Sequence, residues 1–147
     1  ATPEKSVKRN WKKMMNTYSP YQQYKNLAVN TLTPAELLVL LYEQLDLNLN
    51  RAVSAVNKGS PAEAHRFIMR AQDIVMYLVE ILDMRYPISK DLLKLYGYLS
   101  TQLIRANSRK DPELLSQIHS TVNELKDIWK QADALAREKN QMIGEAI

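Results

Sequence analysis

The chain has 147 residues and no cysteine, which is the size of one domain with a single core and excludes disulfides, thiolate metal sites and a cysteine nucleophile. Its apolar runs are far shorter than the ~18 residues that span a bilayer, and no secretory signal pattern opens it. The net charge of +4 suggests a nucleic-acid partner at first sight, but the excess lies in residues 1–17, which carry five lysines and arginines against one acidic residue. We therefore expect a soluble, cytoplasmic protein.

The elements follow in chain order from a basic extension, residues 1–17, which we expect to be disordered. A short amphipathic segment, residues 21–29, comes next. Three later points then place a capping side chain before a proline, at Thr33, Ser60 and Asp111. Such a side chain accepts a hydrogen bond from an amide of the first turn, and proline fits there because its missing N–H needs no partner.

These signals predict four long helices, at residues 33–57, 60–84, 89–108 and 111 to about 137. The loops between them are short, and short loops make neighbouring helices antiparallel. The predicted fold is all-α, an antiparallel up-down-up-down four-helix bundle with a short N-terminal helical segment. Residues 18–137 form the single domain, and residues 138–147 a polar C-terminal tail.

Three of the four helices are more apolar than one core-facing stripe requires at 100° per residue. The extra positions are Leu40 and Leu47 on the first helix, Met69 and Met76 on the second, and Leu93, Gly97 and Ile104 on the third. The fourth helix has one apolar face, and we interpret it as an ordinary solvated wall.

The extra positions have two interpretations. Scattered surface Leu and Met are normal in soluble proteins, and residues 21–29 could cover one strip within the chain. Alternatively, these positions line grooves that receive an amphipathic segment of a partner, a surface for which the flexible thioether of methionine is suited. Gly97 would let a foreign backbone approach closely, although a helix contact inside the bundle would use it equally well.

The sequence contains no constellation typical of catalysis or metal binding. The two histidines, His65 and His119, lack the Glu-x-x-His spacing of di-iron bundles, and no local signature places a nucleophile beside a base. Three glycines cannot form a phosphate-binding loop. We predict a protein that is not an enzyme, with no catalytic residues, no metal and no cofactor.

Several short segments, in a specific order and spacing, carry a family resemblance between Tyr18 and about Ala132. They are residues 21–26, 30–37, 40–42, 63–65, 70–74, 82–84, 89–92, 95–96, 103–104 and 106–107, with Trp129. In these segments the chain resembles the FliS family, the flagellar secretion chaperones for flagellin.

The resemblance implies a bundle that binds the disordered C-terminal segment of flagellin in the cytoplasm, prevents its premature polymerisation and supports its secretion. It also implies links to the flagellar export gate and to other flagellar regulators. The partner-binding residues that we predict are Leu40, Leu47, Met69, Met76, Leu93, Gly97 and Ile104 as groove lining, with Tyr21, Tyr24 and Leu27 as a hook. The hook either moves aside or joins the client, and the groove positions come from the face count rather than from the family.

Two other functions stay open. A helical structural protein would use its second stripes as a self-interface, whereas the chaperone hypothesis expects a monomer or a weak homodimer. A nucleic-acid-binding bundle would depend on residues 1–17 and show a steep salt dependence. We expect no nucleic acid and no membrane insertion.

Overall fold

A computed structural model of the chain describes the backbone of residues 32–146 and the side chains of residues 32–139. Four helices follow one another: α1 (Pro34–Asn57), α2 (Pro61–Glu80), α3 (Ile88–Arg109) and α4 (Pro112–Ala146). Each packs against the next, and α4 returns to pack along α1. The prediction of an all-α, up-down-up-down bundle is confirmed, and none of these helices is long and apolar enough to cross a membrane.

Two of the three predicted caps start their helices as expected. Thr33 Oγ1 accepts a hydrogen bond from the Glu36 amide at 3.1 Å and donates to the Glu36 carboxylate at 3.0 Å. Asp111 Oδ1 accepts from two amides of the first turn of α4, at 3.1 and 3.2 Å. Ser60 makes no side-chain cap. It follows Gly59, whose φ of 76° turns the chain sharply, and the first turn of α2 has its proline but no capping side chain.

The ends of α2 and α4 differ from the predicted ones. Helix α2 ends at Glu80 rather than at residue 84, because the Asp83 carboxylate accepts from the Arg85 amide at 3.1 Å and favours a turn over a further helical bond. Ser89 Oγ fixes the same loop by donating to the Asp83 carbonyl at 2.5 Å. Helix α4 continues to Ala146 through the predicted polar tail, since residues 138–143 hold no proline or glycine that would stop it.

The core occupies the centre of the bundle, and most of its predicted members are buried. Seven buried apolar residues lie outside the core-facing stripes that a periodicity of 100° per residue gives: Leu37, Ala52, Ala55, Ile68, Ala106, Leu115 and Val122. Ten residues that the same periodicity places inward are only partly buried or exposed: Leu38, Val56, Leu82, Leu92, Leu95, Leu114, Leu125, Trp129, Ala132 and Ala136. The two alanines lie near the end of the bundle where α1 and α3 begin, so little neighbouring helix is left to cover them.

A polar contact crosses the core between α1 and α3. The Tyr42 and Tyr96 hydroxyls lie 2.6 Å apart, and both side chains are almost fully buried. Burial raises the pKa of Tyr42 and of Tyr96 above the ordinary value of a phenol, so both are neutral near pH 7. The ring of Trp129 on α4 lies 6.4 Å from that of Tyr42, and the three aromatic residues therefore tie three helices together.

The tyrosine pair gives a stability prediction. Tyr42→Phe leaves the Tyr96 hydroxyl buried without this partner, and we expect it to lower the free energy of unfolding by about 1–3 kcal/mol. Tyr42→Phe/Tyr96→Phe removes both hydroxyls and should recover most of that loss. Urea denaturation of the four proteins measures the coupling, and strictly additive losses would contradict the pairing.

Candidate functional site

Two of the extra apolar positions, Met69 on α2 and Ile104 on α3, line one pocket between these antiparallel helices. The Asn107 Nδ2 atom on α3 lies 3.0 Å from His65 Nδ1 and 4.0 Å from Met69 Sδ on α2, which fixes the register. About three turns along each helix from the His65–Asn107 contact, the same register brings Gly97 level with Met76. We call Met69, Met76, Leu93, Gly97 and Ile104 the α2–α3 groove.

The four side chains of the groove are open to solvent. Met69, Met76, Leu93 and Ile104 expose between 40% and 58% of their surface. The core beneath them is filled by their chain neighbours Ile68, Val75 and Leu103, which are buried. Exposed apolar residues that share neighbouring faces of two helices mark a binding site more often than scattered ones do.

Gly97 has open space in front of it. Among the described residues, a Cβ atom built at this position meets nothing within 4 Å. No contact between α1, α2, α3 and α4 in residues 32–139 therefore requires a glycine here. Glycine inside a helix costs about 0.5–1 kcal/mol relative to alanine, and close approach of another backbone is a physical reason to keep it.

We therefore expect Gly97→Ala to stabilise the free protein by about 0.5–1 kcal/mol. Gly59→Ala is the matched control, because Gly59 also has open space but a φ of 76°, and alanine there should destabilise by roughly 1 kcal/mol. Urea denaturation measures both. Destabilisation by Gly97→Ala would show that the bundle does depend on this glycine.

A pocket of about 490 Å³ with polar and apolar lining residues lies at one end of the groove. It lies where α2 begins and α3 ends, and its lining is His65, Met69, Gln72, Ile104, Asn107, Ser108 and Lys110. Lys110 Nζ donates to the Asn107 carbonyl at 2.6 Å and to Asn107 Oδ1 at 2.7 Å. The pocket therefore contains two groove residues, Met69 and Ile104, and the Lys110 ammonium group, which its hydrogen bonds to Asn107 hold in place.

The remaining predicted residues are not part of this groove. Leu40 on α1 is partly buried and packs against the core, and Leu47, also on α1, is partly buried. Their helix packs mainly against α2 and α4. Tyr21, Tyr24 and Leu27, the predicted hook, lie outside the described residues.

The seam between α1 and α4 is polar and closed by ion pairs. These are Asp46 with Lys126 at 3.1 Å, Glu43 with Lys130 at 3.1 Å, and Glu36 with Arg137 at 3.6 Å. His119 Nε2 also lies against Asp46 Oδ1. This side of the bundle offers paired charges rather than an apolar surface for a partner.

Further exposed apolar residues, which the helical periodicity did not indicate, occur on α3 and α4. Ile128 and Leu135 are exposed on α4, and Ile88 is exposed at the start of α3. The antiparallel run of the two helices places Ile88 near the level of Leu135. We call Ile88, Ile128 and Leu135 the α3–α4 strip. The prediction of one apolar face for α4 leaves out Ile128 and Leu135, and their seven-residue spacing is the signal that could have indicated them.

The chemistry that these surfaces support is non-covalent binding. Among the described residues, no group of three or more His, Asp or Glu side chains could hold a metal ion. The groove supplies apolar area and the pocket supplies hydrogen-bond donors, which together suit a peptide segment.

Comparison with known proteins gives the family. The family model described as "Flagellar protein FliS" matches residues 14–136. The flagellar secretion chaperone FliS of Bacillus subtilis (strain 168) is 29% identical over 118 residues, covering 80% of this chain and 89% of the relative. The flagellar secretion chaperone FliS of Vibrio cholerae serotype O1 is 27% identical over 117 residues, covering 75% of this chain and 85% of the relative. The resemblance seen in the sequence is confirmed, and the chain belongs to the FliS family.

Proposed function

We propose that this chain is a cytoplasmic flagellar export chaperone that binds the disordered C-terminal segment of flagellin in the α2–α3 groove. The observation that carries the proposal is the uncovered Gly97 among four exposed apolar side chains. The names of the relatives, which are flagellar secretion chaperones, support a client from the flagellar export pathway.

The dimensions of the groove suit a helical segment. Leu93 to Asn107 spans four turns of α3, about 21 Å, so a client helix of some 14 residues would match its length. Such a helix would place apolar residues at every third or fourth position against the groove. The methionines would adjust to its side chains, and Gly97 would admit its backbone.

The expected affinity follows from the apolar area. Covering the exposed halves of four such side chains contributes about 3–6 kcal/mol, and the client's own side chains contribute a similar amount. Ordering the client costs about 2–5 kcal/mol, and the loss of translational and rotational freedom on association costs at least about 4 kcal/mol more. The difference supports a complex no tighter than about micromolar from this groove alone, and tighter binding would need a second surface such as the α3–α4 strip.

Sequestration explains why such binding would serve export. A client segment held against the α2–α3 groove cannot bury the same apolar face against other flagellin subunits. The subunit would stay unpolymerised until secretion. Contacts with the export gate and with other flagellar regulators remain predictions from the family resemblance.

Calorimetry with the C-terminal flagellin peptide from the same organism tests the proposal. We expect a micromolar complex and an increase in helical circular dichroism as the peptide orders, with a scrambled peptide as control. The absence of both heat and ordering at tens of micromolar peptide would contradict the proposal.

The alternative function, self-association through second apolar stripes, is favoured by one observation, the exposed α3–α4 strip. Light scattering distinguishes the two functions. The chaperone proposal expects a client-free monomer or weak dimer. A stable dimer that Leu135→Asp converts to monomer would favour the alternative.

A further inference from the structure

The pocket at the end of the groove presents hydrogen-bond donors to solvent. Asn107 Oδ1 accepts from Lys110 Nζ at 2.7 Å, so Asn107 Nδ2 is the atom that donates to His65 Nδ1, at 3.0 Å. His65 then carries its proton on Nε2, where it can donate. Lys110 uses its ammonium group on two Asn107 oxygens, and one N–H of the three remains.

The charge of the pocket points to an anionic ligand. Its lining contains the Lys110 ammonium and no carboxylate, and Gln72 and Ser108 add an amide and a hydroxyl. A carboxylate accepts several such hydrogen bonds at once, and bonds that involve a charged partner are about twice as strong as neutral ones. Met69 on α2 and Ile104 on α3 also line the pocket and are apolar, so the ligand combines a carboxylate with an apolar neighbour.

We propose that this pocket binds the free α-carboxylate of the last residue of the client, an inference that rests on the proposed function. The groove ends here, at the start of α2 and the end of α3, which suits a chain end better than a side chain of a continuing peptide. The client helix then runs parallel to α3. Its C-terminal end, which carries the negative pole of the helix dipole, faces Lys110.

The test compares four forms of the C-terminal flagellin peptide by calorimetry: the free acid, the C-terminal amide, the acid extended by three glycines, and the amide with its acidic side chains neutralised. We expect the amide and the extended peptide to bind about tenfold more weakly than the free acid. The neutralised amide should bind like the simple amide. If the simple amide binds as tightly as the free acid and only the neutralised amide binds more weakly, the pocket binds a side-chain carboxylate. That result would overturn the inference.

Lys110→Gln adds an internal check. The substitution should lower the affinity for the free acid to that for the amide, and it should leave the affinity for the amide unchanged. Lys90→Gln, the control, removes the same charge at the opposite end of α3 and should preserve the difference between acid and amide. If acid and amide bind all variants equally, the carboxylate inference fails and the proposed function stands. If neither peptide binds, both fail.

Discussion

Met76→Asp is expected to weaken binding of the flagellin C-terminal segment by at least a hundredfold. The Met76 side chain is 53% exposed, so the free protein can solvate an aspartate there, and stability should stay within about 0.5 kcal/mol of the parent. In the complex the carboxylate would be buried against an apolar client without a partner, and that burial is costly. Calorimetry and urea denaturation measure the two effects.

Met84→Asp is the matched control for this substitution. Met84 is 49% exposed, nearly as much as Met76, but it lies in the loop between α2 and α3, outside the groove. We expect the Met84→Asp variant to bind the flagellin peptide with the same affinity as the parent protein. Equal losses from both substitutions would mean that the client does not distinguish the groove from the rest of the apolar surface.

Leu103→Ala should lower the stability of the protein, whereas substitution of its neighbour in Ile104→Ala should lower client binding. Leu103 is fully buried, while Ile104 is 58% exposed. We expect Leu103→Ala to lower the free energy of unfolding by about 2–5 kcal/mol, because it leaves a cavity in the core. Ile104→Ala should change stability by no more than about 0.5 kcal/mol and instead weaken client binding.

Thermal and urea denaturation give the stability of both variants, and calorimetry below their unfolding temperatures gives the affinity. A large loss of stability from Ile104→Ala would place this residue in the core. The α2–α3 groove would then be narrower than the structure indicates.

Local chemistry made much of the fold predictable. Thr33 and Asp111 cap their helices through the side chains that the sequence offers, and short loops leave few topologies open. The end of α2 was less predictable, because the turn at Asp83 competes with a helix that its sequence would also allow. The end of α4 was predicted too early, at about residue 137, because the polar residues that follow were interpreted as a tail, although no proline or glycine interrupts the helix in residues 138–143.

The groove was only partly predictable, since its depth depends on how neighbouring helices approach. Helical periodicity places Leu40 and Met76 equally far from the core stripe. Only the structure shows that Leu40 packs against the core while Met76 stays exposed. The pocket was missed altogether, because His65 and Asn107 are 42 residues apart and their contact depends on the register of α2 against α3.

Methyl NMR with ¹³C-labelled methionine can show whether the client occupies the α2–α3 groove. The chain has six methionines, of which Met69 and Met76 line the groove and Met84 lies outside it. On titration with the flagellin C-terminal peptide, we predict large shifts of the Met69 and Met76 methyl signals and little change at Met84. Saturating peptide that leaves Met69 and Met76 unperturbed would contradict the account.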